Sequence, residues 1–123
     1  MVEPIYILLY VDNPQLSAEL YSTLLGCKPV ELSPTFALFV LRSGLKLGLW
    51  SRHTVAPAMT GAPGAGELAF PVDDAQKVHD LYKEWGARKL RVAQAPTQMD
   101  FGFTFVALDP DGHRLRVFAP SAE

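Results

Sequence analysis

Residues 10–21 read Tyr-Val-Asp-Asn-Pro-Gln-Leu-Ser-Ala-Glu-Leu-Tyr, and residues 71–82 read Pro-Val-Asp-Asp-Ala-Gln-Lys-Val-His-Asp-Leu-Tyr. Shifted by 61 positions, Val11-Asp12 falls on Val72-Asp73, Gln15 on Gln76, and Leu20-Tyr21 on Leu81-Tyr82. A second agreement appears further along at a shift of 68, where Gly44 falls on Gly112, Leu47 on Leu115 and Trp50 on Phe118. The seven extra residues lie within 88–102. Matches that agree in register, element order and turn position together mark an internal duplication, the feature that most constrains a fold.

Working outward from the first stretch, residues 5–11 are a β-rich apolar run that stops at Asp12-Asn13-Pro14, a strong turn signal. Over 14–25, Leu16, Leu20, Tyr21 and Leu24 recur at helical spacing, and Gly26 stands where a C-cap glycine belongs. Extended segments follow at 28–31, 35–41 and 45–50, the last after a turn at 42–44. Residues 54–66, with Pro57, Gly61, Pro63, Gly64 and Gly66, break all periodicity and read as a linker. The pattern then restarts. The expected fold is α+β: two tandem βαβββ modules forming a curved mixed-sheet cup with helices on the outer face. A single domain of 1–123 is expected, with module one at 5–53 and module two at 67–120.

Size and composition agree. A chain of 123 residues is near the usual size of one domain, and 49% apolar with 20% charged residues is ordinary globular usage. A net charge of -2 with scattered Lys and Arg offers no basic stripe, so nucleic acid is not an expected partner. No basic n-region precedes an apolar stretch at the N-terminus, and no apolar run approaches the roughly 18 residues of a membrane span. The expected location is cytoplasmic, without a membrane partner. Cys27, the single cysteine, reads as a small hydrophobe.

Side chains alternate across a strand, so each strand shows two stripes. Ile5, Ile7, Leu9 and Val11, then Leu45, Leu47 and Leu49, then Leu68, Phe70 and Val72, and finally Leu115 and Val117 are apolar and are expected to pack under the helices. The opposite stripes hold Tyr6, Leu8 and Tyr10; Gly48 and Trp50; Glu67 and Ala69; and Arg116 and Phe118. Pairing across the 109–112 turn is expected to set Phe105 opposite Arg116 and Phe103 opposite Phe118. Pairing across 42–44 is expected to set Phe39 near Lys46 and Ala37 near Gly48. An aromatic-rich face with few polar groups implies a ligand or another subunit.

Val-Asp-Asn before the first helix, Pro-Val-Asp-Asp before the second and Asp-Pro-Asp-Gly-His before the last strand resemble the glyoxalase, bleomycin-resistance and extradiol-dioxygenase group. The resemblance covers residues 5–120. In enzymes of that group, four side chains hold a divalent metal, and the resemblance places those positions at Tyr6, Gly48, Glu67 and Arg116. Glycine offers no ligand, and a guanidinium repels a cation and is not deprotonated. No metal and no cofactor are therefore expected, and Glu67 with Arg116 is expected to form an ion pair. His53, His79 and His113 read as surface or turn residues.

A metal-free member with an aromatic cup resembles the drug-sequestering branch, in appearance nearest its phenazine-antibiotic resistance proteins, on Tyr10-Val11, Trp50-Ser51, Glu84-Trp85 and the run from Phe101 to His113. The resemblance implies a homodimer and a small aromatic ligand. The expected ligand-binding residues are Tyr6, Phe39, Trp50, Glu67, Phe103, Phe105, Arg116 and Phe118, with no catalytic residue. The alternatives are a glyoxalase-type lyase, isomerase or dioxygenase with an unusual metal shell of Tyr6, Glu67 and a histidine, or a structural dimer whose cup is filled.

Overall fold

In the computed structural model, which describes residues 1–121, the duplication is visible as two successive βαβββ units. The first runs β1 (Tyr6–Val11), α1 (Pro14–Leu25), β2 (Glu31–Leu32), β3 (Phe36–Val40) and β4 (Lys46–Ser51). The second runs β5 (Glu67–Pro71), α2 (Ala75–Ala87), β6 (Arg91–Met99), β7 (Gly102–Leu108) and β8 (Arg114–Pro120). Each forms a four-stranded sheet of one order, β1-β4-β3-β2 and β5-β8-β7-β6. In both, the first strand pairs parallel with the last and the other pairs are antiparallel. The fold is a mixed-sheet α+β fold. Two compact units divide at Pro63 and Gly64, within the 54–66 segment.

Local chemistry repeats with the topology. Asn13 caps α1, its Oδ1 accepting from the backbone N–H groups of Gln15 (3.1 Å) and Leu16 (3.2 Å). Asp74, 61 residues on, caps α2 by accepting from the Lys77 N–H at 2.9 Å. Both satisfy donors that a helix start leaves unpaired. Gly26 ends α1 at φ 69, the left-handed conformation in which glycine is least strained.

The two hairpins use one turn. Leu41 N–H donates to the Leu45 carbonyl and Gly44 N–H to that of Leu41, both at 2.9 Å; Asp109 with His113 and Gly112 with Asp109 repeat this at 3.0 Å. Gly44 (φ 93) and Gly112 (φ 85) both have positive φ, so each hairpin has a three-residue loop ending in a left-handed glycine.

That turn corrects the expected pairing by one residue in both units. Phe39 lies opposite Leu47, not Lys46, and Ala37 opposite Leu49, not Gly48. Phe105 lies opposite Val117, not Arg116, and Phe103 opposite Ala119, not Phe118. A slip of one residue moves a side chain to the other face of the sheet. Phe39, Phe103 and Phe105 therefore belong to the helix side. Phe39 and Phe105 are fully buried. Trp85 of α2 meets Phe105 at 5.4 Å and Phe70 at 5.7 Å between ring centroids, and Tyr82 meets Phe105 at 5.4 Å. In the first unit the buried Ala18 and Tyr21 of α1 share the core with Phe39, Leu47 and Leu49. Among the described residues, no helix is long and apolar enough to cross a membrane.

Candidate ligand-binding site

The face of the first sheet built from Tyr6, Leu8 and Tyr10 of β1, Lys46, Gly48 and Trp50 of β4, and Phe36, Leu38 and Val40 of β3 has a glycine at its centre. Gly48 is registered with Leu8 on one side and Leu38 on the other, and Trp50 with Tyr10 and Phe36. A strand glycine leaves a space that neighbouring side chains or a ligand must fill. Here Leu8 and Phe36 fill that space, and with Tyr6 and Trp50 they line a hollow of about 420 Å³. The Phe36 and Trp50 rings meet edge-on at 6.1 Å and 90°, and Lys46 Nζ stands 5.1 Å from the Tyr6 ring centroid. Tyr6 and Leu8 remain 52% and 42% exposed, unusual for apolar groups in one patch.

On the second unit, the corresponding face is polar at one end and aromatic at the other. Arg116 Nε donates to Glu67 Oε2 at 2.6 Å, the ion pair expected from the sequence. Arg114 Nε also approaches Glu67, at 3.5 Å from Oε1. Arg116 Nη1 donates to Gln94 Oε1 at 3.3 Å and to Thr104 Oγ1 at 3.2 Å. Thr104 is fully buried, and its hydroxyl donates to the Val117 carbonyl at 2.7 Å. Gln94 reaches this group from β6 beside its register irregularities, a common use of a bulge. Phe101, from the β6–β7 turn, lies 5.5 Å from the Arg116 guanidinium and 6.0 Å from the Phe118 ring.

Of the eight residues expected from the sequence, Tyr6 and Trp50 line the first unit's hollow, and Glu67, Arg116 and Phe118 share the open face of the second sheet. Phe39 and Phe105 are core, and Phe103 packs against His79 of α2 at 5.0 Å. Sequence reasoning missed Phe36, Phe101, Gln94 and Thr104. Phe36 sits at the start of β3, two residues from Leu38 and in register with Trp50, so a correct hairpin register finds it.

The four positions at which the resemblance would place a metal, Tyr6, Gly48, Glu67 and Arg116, do not fit one here. Gly48 supplies no donor and has no room for one, since a Cβ at 48 would stand 2.6 Å from Leu8 Cδ2 and 3.0 Å from Phe36 Cζ. Glu67 is engaged by two guanidinia, which hold the ground a cation would need. Among the described residues, no group of three or more His, Cys, Asp or Glu is arranged to hold a metal ion. His53 Nε2 is 2.7 Å from Asp12 Oδ1, which Arg52 also approaches at 3.4 Å. That hydrogen bond from His53, reinforced by Arg52, holds the Asp12 carboxyl below its ordinary 3.8. His113 is buried in its turn, with its backbone N–H donating to Asp109 Oδ1 at 2.8 Å.

Comparison with known proteins agrees with this geometry. The sequence model of the Glyoxalase/Bleomycin resistance protein/Dioxygenase superfamily matches residues 4–117. The phenazine antibiotic resistance protein EhpR of Enterobacter agglomerans is 29% identical over 113 residues, 89% of this chain and 86% of that protein. The solution NMR structure of ATC0852 from Agrobacterium tumefaciens is 52% identical, with a TM-score of 0.88 over 99% of this chain and 100% of that one. A glyoxalase/bleomycin resistance protein/dioxygenase from Nocardioides, at 23% identity, matches the fold with a TM-score of 0.80 over 98% of this chain and 84% of its own. The chain belongs to the glyoxalase/bleomycin resistance protein/dioxygenase superfamily.

Proposed function

We propose that this chain is a binding protein that takes up a small planar aromatic compound without a metal and withholds it from its target, as in antibiotic resistance. The observation that carries the reading is the apolar hollow walled by Tyr6, Leu8, Phe36 and Trp50, of which Leu8 and Phe36 close over Gly48, where the resemblance would put a metal-binding carboxylate. Its volume of about 420 Å³ falls in the range of small-molecule sites. A flat ring against Trp50 or Phe36 gains about 0.5–1.5 kcal/mol per good stack beyond the area buried. Likeness to a phenazine antibiotic resistance protein supports the same ligand class.

Tyr6 and Trp50 contact the ligand in this reading, joined by Leu8 and Phe36. Glu67, Arg116 and Phe118 act from the second sheet. Phe39, Phe103 and Phe105 serve by holding the sheets on their helices. In this reading the chain is cytoplasmic, and a homodimer shields the exposed apolar residues of β1. Binding is followed by titrating chelator-treated protein with phenazine and reading tryptophan fluorescence. Quenching that saturates in the wild type and disappears in Trp50→Phe supports the reading; no quenching, or quenching only after metal is added, overturns it.

A further inference from the structure

We infer that the open face of the second sheet carries a subsite for an aromatic carboxylate, formed by the free edge of the Arg116 guanidinium beside the Phe101–Phe118 ring pair. The inference rests on the reading of the chain as a binder of planar aromatic compounds, and narrows the ligand to rings that bear an acidic group.

Three hydrogen bonds fix two nitrogens of the guanidinium: Nε by Glu67, and Nη1 by Gln94 and Thr104. Among the described residues, Nη2 has no hydrogen-bond partner, and no buried side-chain nitrogen lacks one, so Nη2 keeps some contact with solvent in a side chain that is 14% exposed. A guanidinium already held in place loses little freedom when it binds, which favours the bound state. Charge points the same way. Arg114 and Arg116 share a single carboxylate, Glu67, so the trio keeps one positive charge in excess.

The chemistry beside that charge is aromatic. Phe101 touches both Arg116 (5.5 Å) and Phe118 (6.0 Å) and is 44% exposed, so apolar ring surface and a free N–H edge are contiguous. A ring lying on the phenylalanines sets a carboxylate attached to it at Nη2, where the hydrogen bond is charge-assisted and stronger than one to a neutral amide. Glu67 limits this attraction by neutralising part of the charge.

The test compares phenazine-1-carboxylate with its neutral counterpart, phenazine-1-carboxamide, by calorimetry on the full chain at neutral pH. The carboxylate should bind about tenfold tighter. Arg116→Gln should erase that preference, while Glu67→Gln should tighten the carboxylate by about threefold. The Glu67 arm predicts a gain, which a loss of fold does not imitate. Equal binding of both probes by the wild type, or a preference that survives Arg116→Gln, overturns this inference and leaves the aromatic-binding reading standing. Failure of both probes to bind the wild type overturns both.

Discussion

Gly48 stands directly across from Leu8 in the parallel β1–β4 pair, so close that a Cβ at residue 48 would lie 2.6 Å from Leu8 Cδ2. The leucine methyl thus covers ground that a side chain at 48 would otherwise take. Where the resemblance would put a metal-binding carboxylate, Leu8 and Phe36 close over the backbone and line an apolar hollow.

Gly48→Ala should therefore act on the hollow more than on the fold. The added methyl pushes on the flexible ends of Leu8 and the Phe36 ring, a small overpacking that costs about 1 kcal/mol. Phenazine affinity should fall by about tenfold or more, since Leu8 and Phe36, the side chains displaced, line the hollow. Fluorescence titration alongside a urea melt separates the effects; unchanged affinity would show that the hollow is not used.

Phe105→Ala should do the reverse. Phe105 is fully buried against Tyr82 and Trp85, and truncating such a ring costs about 3–5 kcal/mol. Trp50→Ala, at a half-buried position on the open face, should cost less than about 1.5 kcal/mol while abolishing phenazine quenching. Urea midpoints for the two variants decide the matter; similar losses would place both residues in the core.

The contrast between Phe105 and Trp50 also marks what was legible in the sequence. Element order, the 14–25 helix and the shifts of 61 and 68 follow from turn residues and periodicity, which are local signals. The sides of Tyr6, Gly48, Trp50, Glu67, Arg116 and Phe118 also follow, because they rest on alternation within one strand. The sides of Phe39, Phe103 and Phe105 depended on hairpin register. The left-handed glycines Gly44 and Gly112 close three-residue loops, and counting the turn one residue short turned all three phenylalanines toward the wrong face. Gln94 was out of reach because irregular pairing in β6, invisible to periodicity, brings it to Arg116.

Divalent metal should have no specific effect. With Gly48 in place and Glu67 bound by Arg114 and Arg116, zinc, nickel and manganese are expected to leave Tm unchanged within about 1 °C at stoichiometric excess. A saturable rise in Tm would favour the metal-dependent alternative.

Asp12 supplies a pH-dependent contribution of predictable sign. Its carboxyl is held below 3.8 by the His53 hydrogen bond and by Arg52, so the charged form is favoured in the folded chain. The stability this adds is complete above the ordinary carboxylate value and lost as pH falls through the lower folded value. The Tm difference between the wild type and Asp12→Asn should be present near about pH 5 and vanish toward about pH 2. Because Asp12 is exposed, the difference should also shrink with added salt; one that grows on acidification would contradict the assignment.

The indole N–H resonances of Trp50 and Trp85 give the most direct test of an aromatic ligand bound without metal. Trp50 lines the hollow, whereas Trp85 is buried between α2 and its sheet. In chelator-treated protein, phenazine should shift the Trp50 signal saturably and leave that of Trp85 in place. A Trp50 signal that stays fixed at saturating phenazine, or moves only after a divalent metal is added, would contradict metal-independent binding in the hollow lined by Tyr6, Leu8, Phe36 and Trp50.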